Sequence, residues 1–143
     1  MAAADFNGDG IADLAVVWNA PFGAPGSVVI LLGNGDATFQ PANLTGLGVA
    51  PFVPRSVAIA DFDEDGRLDV VVGLHSGSHF VAVLLGDGEG GFQPPVTYET
   101  GIEAQVVAVA DFNADGHSDV AVAFARRSLG PFGQRRRHAP AGH

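Results

Sequence analysis

The chain has 143 residues, 47% hydrophobic and only 16% charged, with 20 glycines, no cysteine and no lysine. That supplies one modest core and excludes a disordered chain, a disulfide scaffold, thiolate metal sites and any lysine-dependent P-loop or Schiff-base enzyme. All sixteen acids precede residue 120 beside only Arg55 and Arg67, within a formal net charge of −9, which argues against nucleic acid as a partner of that part.

The first unit opens on a stub of strand, Ala2 to Ala4, and runs into an acidic nine-residue loop, Asp5-Phe6-Asn7-Gly8-Asp9-Gly10-Ile11-Ala12-Asp13. Oxygen-bearing side chains stand at loop positions 1, 3, 5 and 9, with glycine at position 6. Alternate residues of such a loop point inward and the glycine permits a sharp turn, a spacing that wraps a hard cation such as calcium. A strand ends near Trp18, and a second marker follows at Leu31-Leu32-Gly33-Asn34-Gly35-Asp36-Ala37-Thr38-Phe39-Gln40-Pro41.

The second unit shows the pattern in full. Ser56 to Ala60 reads as a short apolar strand that ends on the first acid of a second loop, Asp61 to Asp69. Valine-rich Leu68 to Leu74 is a second strand, His75 to His79 a turn, and Phe80 to Leu85 a third strand. Gly86-Asp87-Gly88 makes the next hairpin, and Phe92 to Tyr98, with Pro94 and Pro95, suits a fourth strand at a sheet edge. Between the large apolar residues of the first three strands stand alanine, valine or glycine, so these strands expect cover on both faces.

The third unit, Val106 to Phe124, is half a copy with its own loop, Asp111-Phe112-Asn113-Ala114-Asp115-Gly116-His117-Ser118-Asp119. The loops start 56 and 50 residues apart and the second marker returns after 53. Such periods, with four short strands each and no helical periodicity, give an all-β fold of β-propeller-type blades of four antiparallel strands. The expected blades are 1–54, 55–104 and a partial 105–125, followed by a basic tail, 126–143, read as disordered. A propeller closes with roughly four to eight blades, so these two and a half form an incomplete propeller, expected to self-associate or to join further blades of a longer chain. No apolar run reaches membrane-span length and no basic-then-apolar signal peptide opens the chain, so membrane insertion is not expected.

The acidic loops and the LLGxG…FQP marker together resemble the FG-GAP/VCBS repeats of integrin α subunits, bacterial surface proteins and some fungal propeller lectins. Asn19-Ala20-Pro21 stands where that family often has Gly-Ala-Pro, and Gly73-Leu74-His75 departs from it. The resemblance implies that each loop joins the first two strands of a blade and binds calcium. It implies a first site of Asp5, Asn7, Asp9 and Asp13 with the Ile11 carbonyl, and a second of Asp61, Asp63, Asp65 and Asp69 with the Arg67 carbonyl. The third would use Asp111, Asn113, Asp115 and Asp119 with the His117 carbonyl. Valines 16, 72 and 122 stand where an EF-hand has its bidentate glutamate, so the expected affinity is weak, roughly 10⁻⁴–10⁻³ M, and tightest at the four-carboxylate second loop. Eleven of the sixteen acids lie in the loops, and three calcium ions would bring the charge to about −3. The competing reading is three metal-free Asx-type surface turns.

Other candidates are weaker. His75 and His79 are spaced like a zinc pair but lie in a Gly/Ser turn without a third ligand, and read as exposed turn residues. Trp18 has no counterpart in the other units, so it reads as packing rather than sugar stacking. Phe6, Phe62, Phe112, Phe39 and Phe92 recur at equivalent positions and read as core anchors. No GxSxG elbow occurs, and the loops account for most carboxylates, so no enzyme is expected. The family resemblance implies a structural calcium role in an extracellular or cell-surface adhesion and recognition module, with an unknown protein or glycan ligand. The alternatives are a carbohydrate-binding lectin and a non-catalytic scaffold of a secreted enzyme.

Overall fold

Valines and alanines alternate along the strands, and that alternation decides which side chains each sheet turns toward its neighbours. The computed structural model describes residues 1–21, 24–48, 53–75 and 80–124. The first sheet is β1 (Ala2–Ala4), β2 (Asp13–Trp18), β3 (Ser27–Leu31) and β4 (Asn43–Gly46), antiparallel in chain order. The second repeats the plan with β5 (Val53–Ala60), β6 (Asp69–His75), β7 (Phe80–Leu84) and β8 (Val96–Glu99). The third is the pair β9 (Val106–Ala110) and β10 (Asp119–Ala123).

The second sheet sits between the other two, so both its faces are covered. Val70, Val72 and Leu84 pack with Ala15, Val28 and Ile30 of the first sheet. Val71 and Val81 turn the other way and meet Val107, Val109 and Val122 of the third. Residues 69–74 of β6 are therefore all buried. Each fully buried valine or leucine contributes roughly 1.5–3 kcal/mol through removal of apolar surface from water. The architecture is all-β and propeller-like, without closure among the described residues. No described helix is long and apolar enough to cross a membrane.

Several expectations shift in detail. β5 starts at Val53, three residues before the expected strand, and a register shift between Pro54 and Ser56 accommodates the proline. The fourth strand begins at Val96; Phe92 makes only an isolated bridge to Gly86, because Pro94 and Pro95 lack the N–H groups that would extend the ladder. His75 ends β6 instead of lying in an exposed turn, and its Nδ1 is 3.2 Å from Glu103 Oε2. His79 and the tail after residue 124 lie outside the described residues. Trp18 closes β2 half exposed, opposite Ser27.

The phenylalanines divide. Phe6 is buried and meets Phe92 of the second sheet edge-on, with centroids 6.0 Å apart, while Phe62 is partly buried against the second core. Phe39 and Phe112 are exposed, at 43% and 61%, so they are not core anchors. They stand at the two ends of the row of sheets, where no adjoining sheet lies among the described residues.

Candidate metal centre

The three acidic loops fold alike, and each uses its acids to hold its own backbone. The position-1 carboxylate accepts the N–H of the position-6 glycine: Asp5 from Gly10 at 2.8 Å, Asp61 from Gly66 at 2.8 Å, and Asp111 from Gly116 at 2.9 Å. Its other oxygen accepts the position-5 N–H at 3.1, 3.1 and 3.2 Å. The position-5 carboxylate accepts the position-7 N–H, Ile11 at 2.7 Å, Arg67 at 2.8 Å and His117 at 2.9 Å. These are charge-assisted bonds to backbone donors, the stronger kind.

The curl needs two left-handed residues per loop. Position 6 has φ of +81°, +85° and +91°, where glycine is at ease. Position 4 is left-handed too, at Gly8 (+72°), Glu64 (+61°) and Ala114 (+61°). Loops two and three thus hold a non-glycine residue in strained backbone, which the varied residue type at position 4 conceals in the sequence.

Position 9 has a role that its loop alone does not reveal. Asp13 and Asp69 are fully buried, and each bridges two distant N–H groups. Asp13 accepts from Phe6 and from Gly33, both at 2.8 Å. Asp69 accepts from Phe62 at 2.7 Å and from Gly86 at 2.8 Å. Gly33 and Gly86 are the glycines of the repeated LLG marker, so one carboxylate clasps the acidic loop to the hairpin between the third and fourth strands. A Cβ on Gly86 would lie 2.2 Å from the Leu68 carbonyl oxygen, which explains why glycine stands there. Asp119 keeps the bond from Phe112, at 3.0 Å, without an LLG partner among the described residues. The marker's return after each of the first two loops, 20 and 17 residues past position 9, was the available signal for this clasp.

Burial pushes the Asp69 carboxyl above the usual carboxylate range; the Gly86 and Phe62 N–H groups pull it down, and the charges of Asp63 and Asp65 add to the upward push. Asp111 is held below that range chiefly by the Gly116 N–H, and Asp115 chiefly by that of His117. The His117 imidazole is raised, mainly by its bond to Glu64 of the second loop.

In the second loop Asp61, Asp63 and Asp65 bring one carboxylate oxygen each to within 4.8 Å of one another. Oxygens that share a calcium-sized ion at 2.3–2.6 Å lie no more than about 5 Å apart, so the cluster fits a hard divalent cation. Asp69 lies outside that cluster. The first and third loops place Asn7 and Asn113 at position 3, leaving Asp5 with Asp9 and Asp111 with Asp115 as their outer carboxylates. Asn7 donates through Nδ2 to Asp9 at 2.8 Å and accepts the Asp9 N–H through Oδ1 at 3.2 Å; Asn113 likewise accepts the Asp115 N–H at 2.9 Å. At position 7, Ile11 packs beside Gly33 and Gly35, Arg67 pairs with Asp65, and His117 pairs with Glu64. A cleft of about 220 Å³ between the first two loops is lined by Asp5, Asn7, Gly66, Arg67 and Gly88 among others.

A family described as the FG-GAP-like repeat matches residues 5–72 and 65–122. The chain belongs to the FG-GAP-like repeat family. No curated protein and no solved structure gives a significant match. Both FG-GAP matches contain an acidic loop and the strand after it, so the repeat is a loop–strand unit that propagates along the chain. In this FG-GAP chain the clasp at Asp13 and Asp69 ties that unit to its own sheet.

Proposed function

We propose that the chain is a calcium-stabilised segment of an extracellular or cell-surface recognition propeller, with calcium in a structural role and no catalytic activity of its own. The observation that carries the calcium reading is the convergence of the Asp61, Asp63 and Asp65 oxygens within 4.8 Å. Three carboxylates this close repel one another, and a divalent cation removes that repulsion. Membership of the FG-GAP-like family supports a propeller repeat module, and the extracellular setting follows from that likeness. Arg67 alone neutralises only part of the second loop's charge, leaving room for a metal.

The ligands implied are the side chains of positions 1, 3, 5 and 9 with the position-7 carbonyl, and the second loop is the tightest of the three. Position 9 then does double duty, since each oxygen that accepts an N–H keeps a further lone pair. The recognition partner is a protein or glycan rather than nucleic acid, in keeping with the acidic surface. Thermal melting in calcium and in EDTA tests the metal reading. Calcium is expected to raise the melting temperature, as any ligand of the native state does. Identical melting in both would sink it.

A further inference from the structure

Inside the chain, neighbouring sheets meet through two unlike faces. The face turned toward the preceding sheet carries large residues: Val70, Val72 and Leu84 in the second sheet, Val107, Val109 and Val122 in the third. The face turned toward the following sheet is small along its first two strands. Ala2 pairs with Ala15 in the first sheet, and Ser56 with Gly73 in the second, where both meet Val107 of the third.

Each end sheet leaves one such face open among the described residues. On the first sheet, pairing sets Leu14 beside Leu31, Val16 beside Val29, and Val29 beside Leu44. In the second sheet the same positions are Val70 beside Leu84 and Val72 beside Ala82, all fully buried by the first sheet. Leu14, Val16, Val29 and Leu31 are instead only partly buried. On the third sheet, Ala108 pairs with Ala121 and Val106 with Ala123, all exposed, in the places of Ala58–Val71 and its neighbours. The phenylalanines obey the same rule. Phe6 of the first loop meets Phe92 of the next sheet's turn, whereas among the described residues no following turn meets Phe112 and no preceding loop meets Phe39.

We infer that the open face of the first sheet in one copy docks on the open face of the third sheet in another, head to tail. Leu14 and Leu31 of one copy then cover Ala108 and Ala121 of its partner, and Phe39 meets Phe112. The occupant is a second copy because the two open faces continue the interfaces the chain already makes within itself. Pairing two leucine faces would instead set large side chains against large, with no small-residue surface to receive them. Such contacts are heterologous and close a ring or extend. Two copies bring together four full sheets and two two-stranded ones, the strands of five blades, inside the range of roughly four to eight that closes a propeller. The inference does not depend on metal binding.

Sedimentation velocity on the full chain over a wide concentration range tests it. Wild type is expected to run at twice the chain mass or more. Leu31→Glu blocks only the first-sheet face and Ala121→Glu only the third, so each alone should run as a monomer. An equimolar mixture should restore a 1:1 dimer, because one intact face of each kind remains. Phe39→Asp and Ala108→Glu form an independent second pair, and circular dichroism confirms that each variant is folded. A wild-type monomer throughout, assembly that persists in either blocked variant, or a mixture that stays monomeric would overturn the proposal.

Discussion

Asp69 is the residue on which the repeat turns. It is fully buried, yet both its oxygens are satisfied by backbone N–H groups from opposite ends of the unit. Asp69→Asn keeps the size but leaves one buried donor facing a donor, so about 1–3 kcal/mol of stability should be lost in chemical denaturation. Asp119→Asn, with one such bond on a less buried carboxylate, should cost less. The titration signs differ as well. Asp111 and Asp115 lie below the usual range, so they contribute stability that is present above the unfolded pKa and lost as pH falls through their lower folded values. Asp69 lies above it, so its ionised form costs stability at neutral pH, and the cost disappears as pH falls through the raised value. Carboxyl titration by NMR on EDTA-treated protein should therefore place Asp69 above and Asp111 below the ordinary aspartate midpoint; the reverse order would contradict the account.

Among the elements, the loop and its two strands were legible in the sequence because glycine and alternate oxygens at fixed spacing have few other uses. β6 was equally plain: Val70 to Leu74, five consecutive buried residues, leave an unbroken apolar run. What escaped depends on distant partners. The exposure of Phe39 and Phe112 follows from having no neighbouring sheet among the described residues, and nothing local in the sequence distinguishes them from buried Phe6. The late start of β8 comes from two prolines whose missing donors outweigh the apolar pattern. Two glycines separate close approach from mere composition. Gly86→Ala forces a Cβ to 2.2 Å from the Leu68 oxygen and should cost about 1–3 kcal/mol or more. Gly46→Ala in β4 meets nothing within 4 Å and needs no left-handed backbone, so it should be neutral or stabilise by up to about 1 kcal/mol. Equal melting temperatures for the two variants would contradict the clasp.

For the molecule as a whole, three sheets stack into two cores, and the acidic loops recur once per sheet. The repeat period made that plan legible, because each unit carries the same acidic loop and the first two carry the same marker. The acid-rich loops are held by their own backbone bonds, and in the proposed reading a cation would supply what those bonds lack, relief of charge repulsion in the second loop. Calcium titration calorimetry on EDTA-stripped wild type and on Asp63→Asn tests this most directly. Saturable calcium uptake by the wild type, with the tightest phase weakened in the variant, is the predicted result; no uptake, or an unchanged tightest phase in Asp63→Asn, would contradict it.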